Sequence, residues 1–452
     1  MFKKTYLGAA FAALCFYTSP APAATDADLQ AIRAQIQELK QSYEQRIAQL
    51  EARLQTAEYQ QTELKQTVTS TSRTDASASP AGEGTFNPAI SLILGGSYGK
   101  LSQDPTIPAT GFAMSANPGH SQGFNLGESE LGISANIDPE YRGVATLALA
   151  PAGGVSVENA FVQTSALSNG LNLKFGRYFS GLGYLNEIHA HAWDFADQPL
   201  VYATLWNNQL GEDGVQLKWL APTDTFIELG GELGRGRGFP GTDRTKNGAG
   251  SGVLFAHLGD DIGIEHSWRA GASLHQTRRD NAVSIDANNT LINNSFSGNS
   301  RTAGVDFVWK YSPDGNTANR YLKIQGEYFQ RKESGVLTYD TALTNVTDSF
   351  ANTQSGWYLQ TVYQFMPHWR TGLRYDRLDP GSAQIGASNA GNVISNYAFN
   401  PTRTSLMLDY SPSEFSRLRL QLAHDNSRLG LPDNQFFVQY IMSLGAHGAH
   451  QY

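Results

Sequence analysis

The chain has a single cysteine, Cys15, among 452 residues, which excludes a scaffold stapled by internal disulfides. Past the first residues there is no apolar run of the roughly 20 residues that a membrane helix requires. Mean hydropathy is only −0.35. Basic charge is also in short supply. Lys and Arg number 33 against 41 Asp and Glu, so the formal charge of −8 gives no general affinity for nucleic acid. No His/Ser pair stands at a spacing that suggests a nucleophile and its base. An enzyme such as a phospholipase or protease is therefore disfavoured. The plentiful residues are glycine (45) and the aromatics (11%). A low-hydropathy chain of this kind suits an exported soluble protein. It suits equally a membrane β-barrel, whose strands alternate apolar and polar residues and so never raise a strong hydropathy peak.

The opening "MFKKTYLGAAFAALCFYTSPAPAA" has the parts of a secretory signal. Lys3 and Lys4 supply the charged start, Leu7 to Tyr17 the short apolar run, and Ala21 and Ala23 an A-x-A cleavage site. The expected signal is residues 1–23, with Cys15 inside it; losing its two lysines takes the charge from −8 to −10. From 24 to 68 the spacing predicts a coiled coil. Leu29, Ile32, Ile36, Leu39 and Tyr43 alternate steps of three and four. After a stutter at Ile47 the stripe resumes through Leu50, Leu54, Ala57, Gln61, Leu64 and Val68. So narrow a stripe cannot build a core alone, which points to self-association; a lone amphipathic helix on a barrel rim is the alternative. Residues 69–84 form a Ser/Ala/Gly linker.

From 85 to 452 the period becomes two. Leu131, Ile133, Ala135 and Ile137 oppose Glu130, Gly132, Ser134 and Asn136. Leu322, Ile324 and Tyr328 oppose Lys323, Gln325 and Glu327. Leu418, Leu420 and Leu422 oppose Arg417, Arg419 and Gln421. Short turns such as "DPEY", "APTD", "GDD", "SPDGN", "MPH" and "SPSE" alternate with longer Gly/Asn/Ser-rich stretches, expected as loops over 276–300 and 331–353. About sixteen strands, an even number with turns at one end and loops at the other, predict an all-β transmembrane barrel of the outer membrane. Its lumen is expected to hold an aqueous channel rather than a packed core. "QFFVQYIMSL" near the end puts Phe436, Val438, Tyr440, Met442 and Leu444 on one face, and the chain closes on Tyr452.

If the apolar face meets lipid, parity turns Arg370, Arg374, Arg403, Arg417 and Arg419 inward, an expected basic stripe. "NEIHAHAWDFAD" follows the fifth strand. Glu187, His189 and His191 share a face in extended conformation; in a helix Glu187 and His191 meet, with Asp194 one turn on. Imidazole and carboxylate suit Zn²⁺, and two His plus a carboxylate leave an open position. The same stretch also reads as a pore constriction of Glu187, Asp194 and Asp197 facing the arginines, its histidines bonded within the loop. His447 and His450 form a looser pair in the tail.

The position of this loop and the "FGR" before it resemble the trimeric general-diffusion porins, which implies a loop folded into the barrel. The phrases "GRYFSGLGYLNEIHAHAWDFADQPLVY", "NQLGEDGVQLKWLAP" and "YIMSLGAHGAH" resemble a proteobacterial family described as zinc-regulated outer-membrane receptors, often labelled TonB-dependent receptors. That resemblance implies an association with zinc. Energised transport would need a plug domain, and a coiled coil and linker stand in its place. Phosphate- and sugar-selective porins are similar in size, and some sugar porins carry an N-terminal coiled coil. The expectation is thus a passive, trimeric outer-membrane channel in contact with lipid, its N-terminal segment periplasmic and near the cell wall. It requires no cofactor, and zinc stands as a transported or weakly bound ion. An anion or sugar porin, a plugless zinc-regulated receptor and a structural tether remain as alternatives.

Overall fold

The computed structural model describes residues 88–105, 109–112, 120–127, 129–149, 153–164, 167–243, 247–285, 292–392 and 399–445. The expected signal segment, coiled coil and linker, and His447 and His450, lie outside these.

One antiparallel sheet of eighteen strands closes on itself. Two of the strands are short ladders, Gly123–Asn125 and Gln384–Ile385, and the remaining sixteen form the wall. In chain order these are β1 (Ala89–Lys100), β2 (Ser129–Asn136), β3 (Tyr141–Leu149), β4 (Val155–Thr164), β5 (Leu171–Phe179), β6 (Gly211–Leu220), β7 (Phe226–Gly234) and β8 (Ser251–Ile262). They continue as β9 (His266–Ile285), β10 (Asn293–Tyr311), β11 (Tyr321–Tyr339), β12 (Val346–Met366), β13 (Trp369–Asp379), β14 (Thr402–Ser413), β15 (Ser416–Asn426) and β16 (Asp433–Gly445). Each wall strand pairs with the next, and β1 closes on β16 from Ser91↔Gly445 to Lys100↔Phe436. Closure removes every free edge, so no backbone donor of the wall has to face lipid unpaired.

The period of two is realised as an apolar outside and a polar inside. Leu418, Leu420 and Leu422 are 41%, 40% and 55% exposed, while Arg419 and Gln421 between them are 1% exposed. Near the turn end, outward rings gather as Trp309 beside Tyr311, Tyr363 beside Phe365 and Trp369 beside Tyr410. Trp357 and Tyr375 pair further toward the loop end. These are the girdles expected of a barrel in a bilayer.

Two expectations need correction. Residues 276–300 and 331–353 are largely strand. β9 to β12 run 20, 19, 19 and 21 residues, and their polar tips pair as a ladder well past the apolar belt. A ladder needs backbone groups, not apolar side chains, and Phe296, Leu337 and Phe350 give these tips a small core. The turn after β8 is Gly263–Glu265 rather than "GDD", because Gly259, Asp260 and Asp261 still pair with Arg269, Trp268 and Ser267.

Candidate functional site

The connection from β5 to β6, Ser180 to Leu210, folds into the barrel. Asn186 closes its neck: the side-chain amide nitrogen donates to the carbonyls of Ser180 (2.8 Å) and Leu210 (3.0 Å), and its oxygen accepts from Leu210 N–H (2.7 Å). Wall carboxylates then take the backbone donors that a folded loop leaves without partners. Glu232 of β7 accepts from Gly181 N–H at 2.8 Å. Glu327 of β11 accepts from Tyr184 and Leu185 N–H (3.0 and 3.2 Å) and from the hydroxyls of Tyr202 and Tyr358 (2.8 and 2.6 Å). Gly183 allows that approach. Its φ is +67°, and a Cβ there would lie 2.3 Å from a Glu327 oxygen.

Further along, Pro199 presets the start of a helix of about two turns, α1 (Leu200–Trp206), which ends on Asn207 in the left-handed region. Asp376 of β13 accepts from Leu200 N–H at 2.9 Å. Leu200, Val201, Tyr202, Leu205 and Trp206 pack with Phe255, Phe329 and Tyr358 of the wall into one buried apolar cluster. The expected open lumen is thus filled at the level of this loop. A sixteen-strand wall leaves room for a channel, and a loop carrying its own apolar helix occupies that room. Cavities remain on both sides. One of about 230 Å³ is lined by His120, Asp197, Arg403 and Asp425. Another of about 630 Å³ is lined by Asp194, Lys310, Lys323 and Arg370.

All five arginines expected inside do point inward, and they hold the loop. Arg374 donates to both the carboxylate and the carbonyl of Asp197 (2.9 and 2.7 Å) and to Asp376. Arg403 pairs with Asp197 at 2.9 Å, and Gln421 donates to the same carboxylate at 2.7 Å. Arg370 reaches Asp194 at 3.3 Å, and Lys323 bonds Asp194 from β11. Arg419 donates to the Trp193 carbonyl (2.8 Å) and to Asp409, while Arg417 bonds the His191 carbonyl. Asp376, Asp409 and Asp425 stand between the arginines on the wall, so the stripe is basic and acidic by turns. Burial alone would raise the Asp194 and Asp197 carboxyls. Lys323 and Arg370 at the first, and Arg374 and Arg403 at the second, outweigh it and hold both well below the usual carboxylate range.

Glu187, His189, His191 and Asp194 do not gather into one set. Glu187 turns to Lys218 (3.2 Å) and Lys174 (4.0 Å), which overcome burial and bring its carboxyl down to about 2. Asp194 is taken by Lys323 and Arg370. The histidines do come together. A single 3₁₀ turn, Ala190–Ala192, puts their ring centroids 5.8 Å apart. Both face Glu130 of β2: His191 Nδ1 lies 2.8 Å from one of its oxygens and His189 Nδ1 3.2 Å from the other. Glu158 of β4 reaches His189 Nδ1 at 3.0 Å, and the Asn159 amide reaches its Nε2 at 2.8 Å. Burial disfavours the charged His189 ring, but the two carboxylates prevail and raise it to about 10. Ligand atoms of Glu130, Glu158 and His189 lie within 4.8 Å of one another. Imidazole and two carboxylates are an acceptable donor set for a borderline divalent ion, provided the imidazole gives up its proton. Glu130 and Glu158 were legible only as inward-facing strand residues; no spacing says which strands the loop will meet.

Fold and site together define a closed transmembrane β-barrel constricted by an inserted, ion-paired loop. No family model matches the chain. An uncharacterized protein of Aquifex aeolicus (strain VF5) is 29% identical over 412 residues, spanning 83% of this chain and 82% of that one. Among solved structures the chain is similar to OmpT, an outer membrane protein of Vibrio cholerae (TM-score 0.49, 12% identity, 81% of this chain and 100% of that one). It is similar also to an anion-selective porin from Comamonas acidovorans (0.48, 12%, 79% and 99%) and the outer membrane channel DcaP of Acinetobacter baumannii (0.46, 12%, 79% and 97%).

Proposed function

We propose that the protein is a porin-like channel of a Gram-negative outer membrane that passes small solutes by diffusion, with the loop 180–210 as its constriction. The observation that carries this reading is the loop itself, folded into a closed barrel and fixed by Asp194 and Asp197 to Lys323, Arg370, Arg374 and Arg403. Solute would move between the cavities on the loop's two sides, and the ion pairs set how far the loop yields. An anion- or sugar-selective porin is the alternative, to be weighed against two features of the interior. Tyr202, Trp206, Phe255, Phe329 and Tyr358 are packed into the loop's core rather than laid out as an exposed track. The arginines are matched by aspartates. A second reading is supported by the His189–Glu130–Glu158 cluster: a divalent cation such as zinc binds there in transit or as a blocker. Assembly as a homotrimer, with residues 24–68 as a periplasmic coiled coil near the cell wall, belongs to the same proposal.

Planar-bilayer recording tests the channel. Wild-type protein should give small unitary steps, and Asp197→Asn or Asp194→Asn, which cut the loop's anchors, should enlarge them severalfold. Folded protein that stays silent in wild type and in both variants would rule out diffusion through this barrel.

A further inference from the structure

On the lipid side of the wall, away from the lumen, β7 to β11 form a concavity of about 1130 Å³. Its floor is apolar: Leu233, Leu254 and Leu274 are 64%, 64% and 58% exposed. One register step toward the loop end the row becomes basic. Arg301 stands directly opposite Lys332, and Arg278 lies two residues beyond Gln276, the other neighbour of Arg301. All three cations are exposed. Arg235, also at the rim, is answered by Asp243 at 2.5 Å. No carboxylate is within ion-pair distance of Arg278, Arg301 or Lys332 among the described residues. Like charges directly opposed across two strands repel. Two such charges above an exposed leucine floor therefore call for an anionic group joined to something apolar.

We propose that this concavity binds a phosphorylated lipid of the outer leaflet, its acyl chains on Leu233, Leu254 and Leu274 and a phosphate between Arg301, Lys332 and Arg278. Charge complementarity selects the headgroup, because guanidinium and ammonium groups give phosphate oxygens charge-assisted hydrogen bonds. The apolar floor directly below selects a lipid over a soluble anion. In an outer-membrane barrel the long-loop end faces outward, which places the basic row at the headgroup level of the outer leaflet. The proposal rests on that membrane placement and not on conduction, so a silent bilayer would leave it standing.

The test uses the full chain in detergent micelles, with bound lipid counted by native mass spectrometry. The probes are a bisphosphorylated acylated glucosamine disaccharide, the same lipid with its phosphates removed, and inorganic phosphate as a competitor. The bisphosphorylated form should bind at least roughly tenfold more tightly than the dephosphorylated one, as charged hydrogen bonds of ordinary strength imply. In the double variant Arg301→Gln, Lys332→Gln that preference should fall to near unity, with barrel folding verified by heat-modifiable migration. Leu254→Ser, Leu274→Ser should weaken both lipids and keep the preference. Should the double variant misfold, Arg278→Gln alone should still reduce the preference severalfold. Equal binding of the two lipids would overturn the proposal. So would displacement by millimolar phosphate, which would mean a free-anion site, or a changed oligomeric state in the double variant, which would mean a protein partner.

Discussion

His189 is held between two carboxylates, and its environment decides what it can do. Neutral imidazole is the form that binds a metal ion, whereas Glu130 and Glu158 favour the imidazolium and carry its titration from 6.5 to about 10. Because the folded value is raised, the stabilising contribution is complete below 6.5 and is lost as pH climbs through about 10. A metal ion must displace that proton, so Zn²⁺ block of the channel should strengthen as pH rises, by about tenfold per unit between roughly pH 7 and 9. His189→Ala and Glu130→Gln should each abolish the block, while Glu187→Gln, whose carboxylate faces Lys218, should leave it. Current that responds to Zn²⁺ equally in all three would remove the site. The histidines were legible in "NEIHAHAWDFAD" because they cluster in a chain with few of them. Their true partners sit on β2 and β4, roughly 30 to 60 residues earlier.

At the scale of the element, the inserted loop is held by buried charge and by an apolar helix, and the two fail differently. Arg374 is 1% exposed and bonds both Asp197 and Asp376. Replacing it with alanine leaves Asp197 to Arg403 and Gln421 and takes from Asp376 its guanidinium partner at 2.9 Å, at a cost of up to about 3–5 kcal/mol. Thermal unfolding of the detergent-solubilised barrel should register this as a marked fall in midpoint; an unchanged midpoint would mean that the loop does not depend on this anchor. Acid acts far more weakly. The folded-state values of Asp194 and Asp197 lie below the ordinary 3.8, so their contribution is present above 3.8 and is lost only as pH falls through those depressed values. Conductance should therefore hold steady down to about pH 4, and widening already at pH 5 would contradict the depressed carboxyls. Parity alone turned the five arginines inward. It could not show that each would be spent on the loop rather than on a passing solute, since that depends on Asp376 and Asp409 standing beside them.

For the whole molecule, closure of sixteen strands accounts for the absence of any long apolar run, because lipid contact is spread over alternate residues of every strand. The lumen of such a wall is wide, and here the chain fills its waist with its own residues 180–210. The proposed homotrimer rests on the stretch 24–68, whose sequence pattern carries an apolar stripe too narrow to be buried by one helix. Removing it should lower the mass of the purified species in light scattering from three chains toward one while the barrel stays folded. A trimer that survives the deletion would move the association to the barrel wall.

The sequence by itself determined the wall: period-two alternation, short turns and an even count of strands require a closed sheet with an apolar exterior, since an unpaired strand in lipid is too costly to persist. It determined too which arginines face inward and where the long internal loop falls. It misjudged the polar tips of β9 to β12 as loops, because backbone pairing there does not depend on apolar residues. Only the tertiary structure decided which carboxylates meet which cations, that the loop packs a helix across the lumen, and that basic and apolar rows come together on the outer wall. Those are contacts between segments far apart in the chain, fixed by register and insertion depth, and no local pattern of residues encodes them.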